Sequence, residues 1–319
     1  MKDFKFGISK WAPFQDKEVC ERVRNIKRED ITKHANPDLK ITVVKDYDFT
    51  FLRVQDIFLR IKKASEEEKR LVLILPQQDP MLSRVAYLIN KHKVNCKDLY
   101  TFNMDEWADE DGNIAPETYP YGFLYAMKHN FYYKLDKDLR PSEDQIVGPT
   151  DKNFKDYGKM IEDLGGADVS YGGIGWSGHN AFIEPGAEEF EGSLEEWKKM
   201  GPRIVTLNPF TIAQSSLEAD VGSSGDWSAI PPRAATIGPA QVIGAKLRCS
   251  WNGFTIPWNP LSMGSSLSTS WQRFTVRLAL HGPITPKVPA SILQIGRTNV
   301  FITETVAQDI KPVRTWLVE

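Results

Sequence analysis

Leu71-Val72-Leu73-Ile74-Leu75-Pro76 is an unbroken apolar run stopped by proline. A strand with one wet face alternates apolar and polar residues. A short continuous run is instead a strand covered on both faces, the mark of a parallel sheet between helix layers. The flanks fit this reading. Upstream, Ile41 to Val44 is short and β-branched, and Asp48 to Ala64 sets Phe51, Val54, Ile57, Phe58 and Ile61 at helical spacing. Downstream, Pro80 to His92 reads as a helix and Leu99 to Asn103 as a strand. Tyr121 to Tyr133 and Phe154 to Leu164 read as helices, and Val169 to Gly173 as a strand running into glycine. Strand alternating with helix predicts an α/β fold with a doubly wound, mostly parallel sheet. Such sheets bind ligands beyond the carboxyl ends of their strands. The loops to read are therefore 76–80, 103–117 and 172–186.

Composition narrows the classes. The 319 residues suffice for one large domain or two small ones, and 40 basic against 42 acidic side chains give a net charge of −2. Nothing in that balance attracts a polyanion, so no nucleic-acid partner is expected. Cys20, Cys96 and Cys249 are far apart and form no CxxC pair, which suits a reducing compartment and excludes a cysteine-rich zinc site. Met1 to Trp11 has no apolar signal-peptide core, and no apolar run approaches the ~20 residues of a membrane span. The chain is expected to be soluble and cytoplasmic, with no membrane partner.

The first residues, 1–39, are charge-rich with a helix expected at Lys17 to Ile31, and read as an extension packed on a main domain of residues 40–310. Within that domain, residues 187–232 are expected to form a lid, and residues 311–319 a tail. Glu188 to Met200 reads as an acidic surface helix and Leu217 to Pro232 as an excursion marked by Gly, Ser and Pro. Trp251 to Pro260 matches no element.

Two of the loops carry chemistry. Thr101-Phe102-Asn103-Met104-Asp105-Glu106-Trp107 ends an apolar strand with adjacent carboxylates. A carboxylate there can accept a carbon-bound proton if burial or a like-charged neighbour raises its pKa towards neutrality. The alternative is an acidic turn that caps the next helix. In the second loop Gly172, Gly173, Gly175 and Gly178 let backbone approach a ligand, and His179 and Glu184 follow five residues apart. A histidine beside a carboxylate makes an acid–base pair. A satisfied structural histidine is the competing explanation.

Phe102-Asn103-Met104-Asp105-Glu106 followed by Gly178-His179-Asn180-Ala181-Phe182-Ile183-Glu184-Pro185-Gly186 resembles the glucosamine-6-phosphate deaminase (isomerase) family. Pro116-Glu117-Thr118-Tyr119, Arg203 to Leu207 and Ala234-Ala235-Thr236-Ile237-Gly238 extend the likeness, whose order and spacing hold from about residue 40 to about residue 305. Sugar-phosphate lactonases share the fold and a Gly-His loop but lack the Asn-Met-Asp-Glu and Phe-x-Glu-Pro patterns. The resemblance implies a three-layer α/β sandwich with a central, mostly parallel, doubly wound sheet. It implies aldose–ketose isomerisation of an amino sugar phosphate with loss of ammonia, needing no metal and no cofactor. Asp105 would move the C2 proton to C1, His179 would be the ring-opening acid–base, Glu184 would orient it, and Glu106 would help tune Asp105. Gly173, Ser177 and Gly178 would line the substrate. A homo-oligomer is expected.

The sequence departs from the family at four places. Ser177 stands where the family has an aspartate that completes a carboxylate–histidine–carboxylate relay, and losing the acid that orients a catalytic histidine can cost orders of magnitude in rate. The phosphate loop reads Leu75-Pro76-Gln77-Gln78-Asp79-Pro80, with neither glycine nor hydroxyl and with an added negative charge. Gln214-Ser215-Ser216-Leu217 lacks the phosphate-binding arginine, and Asn259 to Ser270 lacks the family's lysine. Three readings follow. Arg233, Lys246 or Arg273 rebuilds the phosphate site of a conventional deaminase. Or the chain is an isomerase or hydrolase of an unphosphorylated sugar or polyol, met by the amides of Gln77 and Gln78 and by indole faces at Trp107, Trp176, Trp251 and Trp258. Or the chain is an inactive sugar-binding protein.

Overall fold

The computed structural model describes residues 6–76, 80–218, 222–254 and 270–310. In chain order its main elements begin with α1 Lys17–Arg24, β1 Leu39–Val44, α2 Phe49–Glu66, β2 Leu71–Leu75, α3 Leu82–His92 and β3 Leu99–Asn103. There follow β4 Asp105–Ala108, α4 Phe123–Asn130, β5 Ile146–Val147, α5 Tyr157–Asp163 and β6 Val169–Gly172. Next come α6 Leu194–Trp197, β7 Arg203–Thr206, α7 Pro209–Ser216, β8 Arg233–Thr236 and α8 Pro239–Gly244. The series closes with β9 Leu247–Asn252, α9 Gln272–His281, β10 Thr298–Thr303 and α10 Glu304–Ala307.

Seven strands form a sheet in the order β1-β10-β9-β6-β2-β3-β5, and every pairing in it is parallel. The chain winds outwards from β2 through β3 to β5, then returns to β6 and winds the other way. β2 and β6 thus meet at the reversal of strand order, where an open α/β sheet leaves a crevice for ligands.

The apolar run at β2 shows why both faces are covered. Leu71, Leu73 and Leu75 join a core with Val54, Ile57 and Ile61 of α2 and Val85 and Ile89 of α3. Val72 and Ile74 point the other way, into a second core with Tyr157 and Ile161 of α5. Each such side chain contributes roughly 1.5–3 kcal/mol of gross burial, so a polar substitution anywhere in the run is costly. A third core holds Val23 and Ile31 of the N-terminal segment against Val276 and Leu280 of α9.

A small antiparallel sheet, β4-β8-β7, is the feature that the helix–strand alternation did not announce. Only Met104 separates β3 from β4, so the chain leaves the main sheet at its carboxyl edge and at once pairs with β8.

Some expected elements differ. The helix from Lys17 stops at Arg24, not Ile31. Glu188 to Met200 is not one surface helix: a single 3-10 turn at Glu188–Phe190 is followed by α6, where Ser193 caps a new start in a reciprocal bond with Glu196. Trp197 at its end is fully buried. Trp251 ends in β9, whereas residues 255–260 of the unassigned segment lie outside the described residues. No helix among the described residues is long and apolar enough to cross a membrane.

Candidate active site

Asp105 opens β4 and sits directly opposite Thr236 at the end of β8. Its Oδ1 accepts a hydrogen bond from the Phe182 backbone N–H at 3.0 Å, and the Thr236 hydroxyl also bonds the carboxylate. Phe182 lies in the glycine-rich loop after β6, so one hydrogen bond joins the two segments that sequence reading singled out. The loop reaches it by a tight reversal in which Ala181 holds φ at +55°, a left-handed conformation uncommon outside glycine. Burial pushes the Asp105 carboxyl up to about 7, with a further push from the Glu106 charge and against the pull of Thr236 and Phe182. A general base poised near neutral pH needs such a value.

Glu106, expected to help tune Asp105, also has a structural place. Its Oε1 accepts from the N–H groups of Trp107 at 3.0 Å and Phe123 at 2.9 Å, and its Oε2 from Leu124 at 2.8 Å. The carboxylate closes the open N-terminus of α4, as the capping alternative had it, and touches Asp105's chemistry only through its charge. Burial raises its pKa to about 7 despite those donors.

His179 is 6% exposed, on a loop closed by hydrogen bonds from Gly175 N–H to the His179 carbonyl and from Gly178 N–H to the Gly175 carbonyl. A Cβ at Gly175 would lie 2.0 Å from His179 Nε2, so the ring rests on backbone that only glycine leaves bare. Gly178 takes φ +90°, the other position where glycine is needed. Its carbonyl accepts from Ala290 N–H, and the Gly173 carbonyl accepts from Asn180 Nδ2 at 3.1 Å. Burial holds the imidazole neutral, with its pKa down at about 4.

On the other side of the ring, Nδ1 lies 2.9 Å from Ser177 Oγ and 2.9 Å from Thr211 Oγ1. Glu184 Oε2 is 3.8 Å from Nδ1, too far for a direct hydrogen bond, and Ser177 Oγ donates to it at 3.2 Å. Glu184 Oε1 accepts from the Asn208 N–H at 3.2 Å. Burial, and to a lesser degree the Asp105 charge, push Glu184 up to about 7 against its hydrogen bonds from Thr211, Asn208 and Ser177. Ser177, expected to line the substrate, is 4% exposed and its hydroxyl is committed to His179 and Glu184. Asp105, His179 and Glu184 are brought together; Glu106 stands behind them.

Thr211, Thr236 and Asn208 were not singled out as site residues. Asn208 caps α7, with Pro209 at its first turn, and so delivers Thr211 one turn in. The Asn208-Pro209 start is a helix signal that a closer reading could use. Nothing in sequence marks Thr211 itself.

The substituted phosphate contacts divide. Gln77 and Gln78 lie outside the described residues, as does most of the lysine-free segment at 259–269. Gln214 Oε1 accepts from the Trp176 N–H at 2.8 Å and its Nε2 donates to Glu218 at 3.0 Å, so the amide braces α7 against the glycine-rich loop. Of the three candidate replacement cations, Lys246 pairs with Asp168 at 2.7 Å at the opposite, amino edge of the sheet. Arg273 donates to the Thr305 carbonyl and to Gln308, and Arg233 lies 3.7 Å from Glu189. The indoles divide as well. Trp107 is buried against Phe182 and Phe123, and Trp251 against Phe301; both fill core. Trp176 is partly exposed and stacks on Trp271 with ring centres 5.9 Å apart, while Trp258 lies outside the described residues. Among the described residues, no three His, Cys, Asp or Glu side chains converge as a metal cage.

No family model matches the chain. The glucosamine-6-phosphate deaminase of Fusobacterium nucleatum subsp. nucleatum is 35% identical over 138 residues, 40% of this chain and 48% of that protein. The glucosamine-6-phosphate deaminase of Caenorhabditis elegans is 34% identical over 163 residues, 49% of this chain and 55% of that protein. The chain thus spans about half the length of the curated relatives it matches. Among solved structures, a monomeric glucosamine-6-phosphate deaminase superposes with a TM-score of 0.60 at 22% identity, covering 84% of this chain and 98% of that one. The 6-phosphogluconolactonase of Leishmania guyanensis superposes with a TM-score of 0.56 at 12% identity, covering 85% and 98%. Identities this low speak to the fold alone. Over about half of its length the chain is thus similar to glucosamine-6-phosphate deaminases, and its fold is the α/β sandwich that a solved deaminase and the 6-phosphogluconolactonases share.

Proposed function

We propose that the chain catalyses isomerisation of an amino sugar coupled to loss of ammonia. One observation carries this reading: Asp105, from the end of the main sheet, is hydrogen-bonded into the loop that holds His179 and Glu184, with its carboxyl raised to about 7. His179, neutral and seated on Gly175, would open the sugar ring by moving a proton from the anomeric hydroxyl to the ring oxygen. Asp105 would then take the C2 proton and return it at C1. Water replaces the amine at C2, giving a ketose and ammonia. Glu184 would hold the imidazole through its hydroxyl partners.

A second reading concerns the substrate's far end. Gln214-Ser215-Ser216-Leu217 holds no arginine where the resemblance implies a phosphate-binding one, and Gln214 is occupied within the protein. Both favour an amino sugar without the phosphate. Ammonia release from glucosamine 6-phosphate and from glucosamine distinguishes the cases. Release from glucosamine alone supports both readings. Release from the phosphate ester at an ordinary enzyme rate keeps the chemistry and overturns the altered substrate. Release from neither, across a panel of amino sugars and their phosphates, overturns the chemistry and leaves a sugar-binding protein.

A further inference from the structure

A carboxylate beside a catalytic histidine usually meets the ring directly, and here it does not. Glu184 Oε2 is 3.8 Å from His179 Nδ1, and two hydroxyls fill the gap. Ser177 Oγ and Thr211 Oγ1 each lie 2.9 Å from Nδ1, and each also bonds Glu184. Thr211 is completely buried and Ser177 nearly so, so bulk solvent does not reach the link.

We propose that Ser177 and Thr211 form a hydroxyl relay that carries a proton between Glu184 and His179, so that the ionisation of Glu184 selects the tautomer of the ring. An ionised carboxylate only accepts, and each hydroxyl has one proton to give. With Glu184 ionised, both hydroxyls donate to it and turn lone pairs to Nδ1. The ring proton then sits on Nδ1 as a shared donor, and Nε2 is bare. With Glu184 protonated, its proton goes to a hydroxyl, that hydroxyl donates to Nδ1, and the ring proton sits on Nε2.

The relay rests on the reading of His179 as the ring-opening group for its catalytic meaning. There the bookkeeping closes. Nε2 takes the anomeric proton, Nδ1 passes its own to a hydroxyl, and the hydroxyl passes its own to Glu184. Nε2–H then gives its proton to the ring oxygen, and the relay runs back. One proton leaves the sugar and one returns, with no net charge left on a buried ring. A single aspartate next to the histidine would stabilise imidazolium instead. Among the described residues, the groups able to bias this switch are few. Asp105, reaching in from β4, acts on Glu184 by its charge, and Glu106 stands behind Asp105. Helix α7, which presents Thr211, has no ionisable side chain, and Glu218 beyond it bonds Gln214.

The test needs no substrate. Nitrogen NMR of 15N-histidine-labelled protein reports the tautomer of His179, which stays neutral above about pH 5 because burial depresses its pKa. The expected result is a bare Nε2 at about pH 9 and a protonated Nε2 at about pH 5, with no imidazolium between. In the Ser177→Ala/Thr211→Val double variant the tautomer should no longer change with pH, whereas Ser177→Ala/Thr211→Ser, which keeps one hydroxyl between Nδ1 and Glu184, should retain the change. The same tautomer at both pH values in the wild type overturns the relay, as does a pH-dependent change that survives in the double variant. If the double variant does not fold, the wild-type titration decides. A chain that turns over no sugar can still show the tautomer change, and an active one can lack it, so failure here is distinct from failure of the proposed reaction.

Discussion

Asp105 is 6% exposed and has no cation beside it among the described residues, where its ionised form is held by two hydrogen bonds. That makes the residue a base of moderate strength and, at the same time, a source of instability once it is charged. Replacement by asparagine keeps an oxygen for the Phe182 N–H and removes the charge. Asp105→Asn should therefore lower turnover by about 10²–10⁴-fold, the usual worth of a positioned base. The same variant should be more stable than wild type at about pH 8, by on the order of 1–3 kcal/mol, and show little gain at about pH 4. Urea unfolding at the two pH values checks this. Gly175 is the second decisive residue. A methyl group there would meet His179 Nε2 at 2.0 Å, so the ring must move. Gly175→Ala is expected to reduce turnover by roughly 100-fold, the order associated with a 1 Å misplacement, with the fold intact by circular dichroism.

At the scale of elements, Glu106 belongs to α4. Three backbone N–H groups end on its carboxylate, and glutamine would leave one of them facing an amide NH2. Glu106→Gln should cost about 1–3 kcal/mol of stability while altering the rate far less than Asp105→Asn does. Equal losses in rate would return Glu106 to the catalytic set. This position also shows what a sequence can and cannot say. Two adjacent carboxylates after a strand look alike in sequence, yet β4's alternation sends Asp105 towards Thr236 and the loop, and Glu106 towards α4. The β2 strand was legible to the residue because burial on both faces leaves an unbroken apolar run. Helix ends were less so: α1 stops at Arg24 although the residues after it still look helical. The small sheet was hidden because β4, β7 and β8 are each four residues long, below the length at which alternation is distinctive. Thr211 was hidden because its partners are 32 residues away on another element.

Across the whole molecule, the N-terminal segment is fastened by Arg277, which is fully buried on α9. Its guanidinium donates to the carbonyls of Ile26, Arg273, Val306, Ala307 and Gln308, linking the segment before β1 to the helix after β10. Arg277→Met would strand several of these acceptors and should cost about 3 kcal/mol or more, seen as a large fall in midpoint on urea unfolding. The pH dependence of stability is also a property of the whole site. Asp105, Glu106 and Glu184 are raised to about 7, so between about pH 4 and 7 the folded chain holds protons that the unfolded chain has released. Stability must fall as pH rises through that interval. His179, lowered to about 4, acts in the opposite sense below about 6.5, but it is one group against three. Wild type should unfold at lower urea at pH 8 than at pH 5.5, and Asp105→Asn should narrow the difference.

The central claim is that Asp105 moves a carbon-bound proton at C2 of an amino sugar. It is tested most directly by exchange of the C2 proton into deuterated water, followed by proton NMR with glucosamine 6-phosphate and with glucosamine in turn. The account predicts wild-type exchange at C2 with at least one of the two sugars, lost in Asp105→Asn while the variant remains folded. Exchange that persists in Asp105→Asn, or its absence from the wild type with both sugars, would contradict it.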